Sequence, residues 1–358
     1  MKALTNPTPS RRGAALVIVM VLILAMAVVA GAFSYAMKVE SRLANNTRSG
    51  PELEWLGRSG MELAKWVLQQ QRTIPGEGMY DGLNQFWAGG PGNVEAIDNP
   101  YAGLDLSHVR IGDGEISVQI IDLDRRININ TAPEPVLELA LQILGAGAGD
   151  ASLIAAAIMD WRDRDDLEHA KGGAEQGYYA GLTPPYAPKN GPIDDMSELL
   201  RIRGITSGLY WGDRIPSTTK AARSHPAIGD VMSYIQQDAT GAGIIDTFTA
   251  ISSSRVNVNT APLPVLRIIL GGDENLARQI IQHRAGPDGQ EGTQDDMPFK
   301  NQAEIPGAGV NQGSLLGTQS SVFEVHVEAR LGSAKDRYVG LFRRGSNREG
   351  QVMLFHHE

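Results

Sequence analysis

The chain has no cysteine among its 358 residues. Disulfide staples, thiolate zinc sites and cysteine nucleophiles are therefore excluded, while the redox compartment stays open. Basic charge is also scarce: 32 Lys and Arg stand against 41 Asp and Glu, for a formal net charge of −9. That balance argues against a general nucleic-acid surface, which needs clustered cations facing phosphate. Catalytic signatures are missing too. The seven histidines are scattered at 108, 169, 225, 283, 326, 356 and 357, and neither H-E-x-x-H nor G-x-S-x-G occurs. Gly145–Gly149 follows no strand and precedes no Lys-Ser/Thr, so it is not a phosphate loop. The chain reads as a non-enzyme. Its 41 Gly and 19 Pro predict extensive loops.

One long apolar run is present. Residues 14–37 carry no charge over 24 positions, a helix of roughly 36 Å that can cross a bilayer with some tilt. Lys2, Arg11 and Arg12 precede it, which places the N-terminus in the cytoplasm and the rest outside. The run is too long for a conventional signal peptide, which has an apolar region of about 7–15 residues. Two readings remain: a plain membrane anchor, or a pilin-type leader cut after Gly13 so that the mature chain begins at Ala14. Cutting there takes the net charge from −9 to −12 and makes Ile18 the fifth mature residue. Most pilins carry Glu at that place, where it pairs with a neighbour's amino group.

Beyond the anchor, helical spacing continues to about Gln71, with a kink or break expected at Gly50-Pro51. Trp55 and Trp66, about three turns apart, are expected to pack this helix onto a sheet. Residues 72–114 read as loop with short turns. Glu115–Leu123 is the first clear strand; Val322–Leu331 and Asp336–Arg343 form a late hairpin, and residues 344–358 read as a frayed tail.

Between the first strand and the last two lies an internal repeat. Ile127–Leu137 (ININ-TAPEPVL) recurs as Val256–Leu266 (VNVN-TAPLPVL), identical at eight of eleven positions. Thr131 and Thr260 read as helix caps, with Pro133 and Pro262 in the first turn and Glu134 completing a capping box. Helices are predicted over 136–144, 151–161, 265–270 and 275–284, with another begun by Asp195 and ending before Gly204. The fold class is thus α+β: a long N-terminal pilin-type helix, a pilin-like antiparallel sheet, and a large inserted helical domain built on the duplicated motif. The divisions are 1–13 leader, 14–37 transmembrane helix, 38–126 with 316–345 as the sheet domain, 127–315 as the insert (related halves about 127–210 and 256–310), and 346–358 as tail.

Two acidic loops are candidate metal sites. The first holds Asp160, Asp163, Asp165, Asp166, Glu168 and Glu175; the second holds Asp288, Glu291, Asp295 and Asp296. Calcium takes six to eight hard oxygens in loose geometry, which irregular acidic loops can supply. The competing reading is a solvated loop neutralised by Arg162, Arg164 and Lys171.

Arg12–Leu16, the strand running into Ile127–Pro133, Asp160-Trp161-Arg162-Asp163, Gly173-Ala174-Glu175, Tyr178-Tyr179, Pro184-Pro185-Tyr186 and Ser197-Glu198-Leu199 together resemble the K-type minor pseudopilins of the type II secretion system. The resemblance spans residues 11 to about 343. It implies cleavage between Gly13 and Ala14 by a prepilin peptidase. It also implies a single-pass inner-membrane anchor with the C-terminal domain in the periplasm, and calcium binding in the insert. The implied role is to cap the pseudopilus tip and initiate assembly with the I-type and J-type minor pseudopilins. That family lacks the Glu at the fifth mature position, in keeping with Ile18.

An alternative comes from another class. The Asn-x-Asn-Thr-Ala opening and the Ser-x-Glu-Leu helix ending at Gly also resemble helix-hairpin-helix modules of membrane-anchored DNA-uptake proteins. Those hold phosphate on backbone amides with Lys and Arg support. Here the turns are Gly145–Asp150 and Gly271–Glu274, whose acids repel phosphate, and only Arg201 and Arg203 suggest a basic patch.

Overall fold

The computed structural model describes residues 12–93, 99–212, 241–307, 309, 315–345 and 350–357. Most of the leader, residues 1–11, lies outside them, while Arg12 and Gly13 open the first helix.

α1 spans Arg12–Gln70 as one helix. Its segment Ala15–Ser41 has mean hydropathy 3.0 with nothing packed on it, and is long and apolar enough to cross a membrane. Of the kink or break expected at Gly50-Pro51, the break does not occur: Pro51 sits inside the helix. Losing one backbone bond costs about 3 kcal/mol, and the following turns recover it by packing on the sheet. They do so through Leu53, Leu56, Met61, Ala64, Val67 and Leu68, all buried. The tryptophans are off that stripe. Trp55 is 69% exposed, and Trp66 lies edge-on to Tyr101, so neither is the packing residue that its spacing suggested. Small residues set the approach instead: a Cβ on Gly57 would run into the Tyr338 ring, and one on Gly60 into Val327.

The main sheet has five antiparallel strands in the order β1-β2-β7-β8-β9. β1 (Val109–Ile111) and β2 (Gly114–Asp122) form a hairpin in a region read partly as loop. β7 (Val322–Leu331) and β8 (Ala334–Arg344) turn at Gly332-Ser333, with Gly332 at φ +59°. β9 (Gly350–His357) corrects the frayed-tail expectation. Its exposed residues show no clean alternation, but they pair with β8 from Tyr338↔His357 to Arg344↔Gly350. Phe355 stacks on Tyr338 at 5.3 Å.

Residues 123–321 intervene between the paired neighbours β2 and β7. They hold β3 (Ile127–Asn128), α2 (Glu134–Ile143), α3 (Ala148–Arg162), α4 (Gln176–Ala180), α5 (Ser207–Trp211), α6 (Ile244–Thr247), β4 (Phe248–Thr249), β5 (Val256–Asn257), α7 (Leu263–Ile269), α8 (Glu274–Arg284) and β6 (Leu316–Gly317). β3 pairs in parallel with β4, and β5 with β6. Both halves share one core, in which Ile129, Leu137, Ile158 and Val258 are closed off from solvent. The sheet and α1 have a separate core.

The repeated motif does not cap its helices as the sequence suggested. Pro133 and Pro262 are themselves the N-cap residues, with no side-chain cap bond. Asn128 and Asn257 take over the local backbone: each Oδ1 accepts the N–H two residues on, from Asn130 at 2.8 Å and Asn259 at 3.0 Å. The chain therefore turns before the helix starts. Thr131 is left exposed, and Thr260 Oγ1 donates to Asp122 Oδ2 instead.

That last bond belongs to a buried polar junction where the insert leaves the sheet. Asn257 Nδ2 lies 3.1 Å from Asp122 Oδ2 and 2.7 Å from Ser320 Oγ. Asp124 accepts the backbone N–H groups of Ser253 and Ser321. Burial, then the neighbouring Asp124, pushes the Asp122 carboxyl up to about 7. The folded chain thus holds this proton more tightly than the unfolded chain. The cost of its charge is complete above pH 7 and is relieved as pH falls toward the ordinary carboxylate range. Lowering the pH from 8 to 6 should raise the melting temperature by about 3 °C. Asp122→Asn should flatten that slope in matched melting curves.

Candidate metal centre

α3 delivers the first acidic loop. Its last residue, Arg162, turns back and donates to Ile129 O and, at 2.7 Å, to Ala132 O, tying the repeated motif to the helix end. Asn130 clamps the returning chain by accepting from Ile193 N and donating to Ile193 O, at 2.7 and 2.8 Å. Asp160, 1% exposed, accepts the His169 N–H at 3.1 Å. A Cβ on Gly173 would collide with the Asp160 carboxylate, so only glycine lets residues 169–175 return across α3.

This return brings Asp163, Asp165 and Glu175 together, each offering an oxygen within 4.8 Å of the others. Glu175 is buried, and neither of its carboxylate oxygens has a hydrogen-bond partner among the described residues; Asp163 Oδ1 has none either. Burial, then the charges of Asp160, Asp163, Asp166 and Asp165, pushes Glu175 up to about 7. Asp163 is raised by burial and then by Asp165 and Asp160. Asp160 is raised by burial. Asp166 and Glu168 are exposed at the rim.

The cations assigned to neutralise this loop are largely committed elsewhere. Lys171 bridges Glu134 at 3.0 Å and Glu138 at 2.7 Å. Arg162 points at backbone carbonyls, and burial and the neighbouring acids outweigh its charge at Asp163. Arg164 is exposed. Asn190, unforeseen in the sequence, approaches from 24 residues away: its Nδ2 donates to Asp166 Oδ1 at 2.7 Å and to Asp165 O at 2.9 Å. Its Oδ1 is another buried oxygen without a partner among the described residues. Its one sequence signal was the turn-forming Lys189-Asn190-Gly191 stretch. Orphaned carboxylate oxygens on an irregular loop fit a hard divalent cation, which offsets both the desolvation and the mutual repulsion.

The second loop occupies the same place in the other half of the insert. Arg284 closes α8 and donates to Val258 O, as Arg162 does to Ile129. Asn259 clamps Phe299 as Asn130 clamps Ile193. Here, however, Glu291 is paired with Arg284. Asp288 Oδ1 accepts from Gln290 N at 2.7 Å, Asp295 Oδ1 from Thr293 Oγ1 at 2.8 Å, and Asp296 Oδ2 from Gly292 N at 2.8 Å. Thr293 and the Asp288 backbone hold Asp295 below its usual range. The loop satisfies itself, and its four acids form no ligand cluster among the described residues.

A family model described as type II secretion system (T2SS), protein K, matches residues 118–211, the stretch from β2 through the first acidic loop to α5. Type II secretion system protein K of Aeromonas hydrophila is 25% identical over 96% of this chain and 95% of its own length. The protein K of Pseudomonas aeruginosa is 24% identical over 96% of this chain and 92% of its own. The chain is similar to the type II secretion system K proteins over nearly its whole length. A solved structure shares its fold. A chain in the crystal structure of the GspK-GspI-GspJ complex from the enterotoxigenic Escherichia coli type 2 secretion system aligns at TM-score 0.57 and 16% identity. The alignment covers 88% of this chain and 99% of that one. The DNA-binding alternative finds no support in these likenesses. At the α7–α8 turn, the Asp273 side chain accepts the Leu276 N–H where a phosphate would sit. Arg203 stacks on Tyr178 and bonds Gly173 O, and Arg201 stacks on Tyr186.

Proposed function

We propose that this chain is a K-type minor pseudopilin that caps the pseudopilus tip and initiates its assembly with I-type and J-type minor pseudopilins. The observation that carries this reading is the extent of the likeness, which runs over 96% of the chain, from the membrane helix to the late sheet strands. The fold it shares occurs in a complex of a K protein with I and J proteins. The insert between β2 and β7 is too bulky for a close-packed filament shaft, and suits an end position. In this reading the apolar segment Ala15–Ser41 anchors the chain in the inner membrane and the folded part lies in the periplasm.

The test is co-purification of the detergent-solubilised full chain with its I-type and J-type counterparts. Recovery of a ternary complex is expected, and failure of either partner to associate would remove the tip assignment. N-terminal sequencing of the membrane-extracted protein should read from Ala14. A chain starting at Met1, or beyond residue 30, would exclude prepilin-peptidase processing.

We assign calcium to the first acidic loop, with Asp163, Asp165 and Glu175 as ligands, Asp160 orienting the loop, and Asn190 a candidate neutral oxygen. The ion would tie the loop ends together and stabilise the insert. The second loop, already bonded to itself, is left without a metal.

A further inference from the structure

β2 has an incomplete neighbour. β1 pairs only with Gly114–Ile116, and one further bond, Val118 N–H to Leu106 O at 2.7 Å, extends the contact. Backbone groups of alternate residues point to the same strand edge, so the N–H and C=O of Ile120 and the N–H of Asp122 face the same side as Val118 N–H. Among the described residues, no hydrogen bond reaches them there. A groove of about 380 Å³ lies along this edge, walled by Phe86, Trp87, Leu104 and Leu106.

Arg125 stands at the far end of the groove, beside Asp122 and Thr260. Among the described residues it makes no hydrogen bond and no ion pair. Burial, then the charge of Arg126, lowers its guanidinium to about 10. The two acids whose charge favours it, Asp122 and Glu291, give little relief. Asp122 is itself raised to about 7 and already accepts from Asn257, Thr260 and Ser320, and Glu291 is taken by Arg284. An open strand edge beside an apolar wall, with an uncompensated cation at its end, is the arrangement that receives an added strand bearing a carboxylate.

We propose that the groove beside β2 binds a short extended segment of a partner polypeptide, which pairs with the backbone of Val118–Asp122 and presents an Asp or Glu side chain to Arg125. Five residues of strand span roughly 16 Å, so the segment is short and the carboxylate sets its register. This surface is independent of the acidic loop, and the proposal does not rest on the tip assignment.

The probe is an acetylated, amidated nonapeptide of alternating valine and serine with a central glutamate, titrated against the detergent-solubilised full chain. The glutamine counterpart should bind about tenfold more weakly, and amide exchange should slow at Ile120 and Asp122. Arg125→Gln should abolish the preference for glutamate, and Arg125→Lys should retain most of it. Equal binding of the two peptides to the native chain would overturn the proposal, as would protection confined to another edge such as β9. Because those two readings use the native chain, they decide the matter even if an Arg125 variant folds poorly.

Discussion

Arg344→Ala should destabilise the sheet domain by about 3–5 kcal/mol, the cost of leaving one member of a buried ion pair behind. Arg344 and Asp81 are 5% and 3% exposed at their side chains. Arg344 Nη1 donates to both Asp81 oxygens, at 2.9 and 2.8 Å, and to Ser320 O at 3.1 Å. Its guanidinium also covers the Phe323 ring at 4.8 Å. Removing it strands Asp81 in a site that also contains Asp122, which is already hard to ionise. A drop in melting temperature of roughly 10 °C follows. Asp81→Asn should cost less, because a neutral amide can still accept from Arg344 and Ser320 N. Equal losses for the two variants would show that the stranded charge is not the main term. The same junction ties residues 81, 122, 257, 320 and 344 together, so the loss should appear in both cores.

Removing calcium should give the second large effect. A ligand that binds only the folded state stabilises it by about 2.7 kcal/mol at a hundredfold excess over its dissociation constant. Chelator added to the purified full chain should therefore lower the melting temperature of the insert by several degrees. Magnesium should restore little, because it demands tighter octahedral geometry than this loop readily gives. The variant Glu175→Gln makes the sharper case. In chelator at pH 8 it should be more stable than the native chain, since it removes a buried charge facing Asp160, Asp163, Asp165 and Asp166. With calcium it should lose the metal-dependent gain. Asp163→Ala with Asp165→Ala should likewise abolish the shift. A melting curve indifferent to chelator would return the loop to the solvated reading. A calcium shift surviving the double substitution would move the site to Asp288–Asp296.

The elements readable in the sequence are those whose instructions are local. Strict alternation marked Val322–Leu331, and the structure keeps those ends. Period-3.6 spacing found α2, α3, α7 and α8 to within a few residues. Where a residue had two possible partners, local reading chose wrongly. Thr260 looked like a cap, but a buried carboxylate 138 residues away claims its hydroxyl. Trp55 looked like core, but the small residues Gly57 and Gly60 set which face of α1 meets the sheet. Pro51 looked like a kink or a break, but it does not end the helix, because burial on its C-terminal side outweighs one lost backbone bond.

The candidate site divides in the same way. Composition alone determined a helix long and apolar enough to cross a membrane, two acid-rich loops and the lack of thiol chemistry. A repeated eleven-residue motif, with its surrounding signatures, carried the resemblance to the K-type minor pseudopilins. Only the tertiary structure showed which loop leaves its carboxylate oxygens without partners among the described residues. Both loops are acidic and both follow an arginine that straps its helix to the repeated motif. In one, the spare guanidinium nitrogen pairs with Glu291 and the remaining acids bond their own loop. In the other, Gly173 allows the chain to return over Asp160, and Glu175 is delivered, unpaired, beside Asp163 and Asp165. A run of carboxylates encodes charge, but the direction in which each one points is set by backbone returns and by contacts tens of residues away.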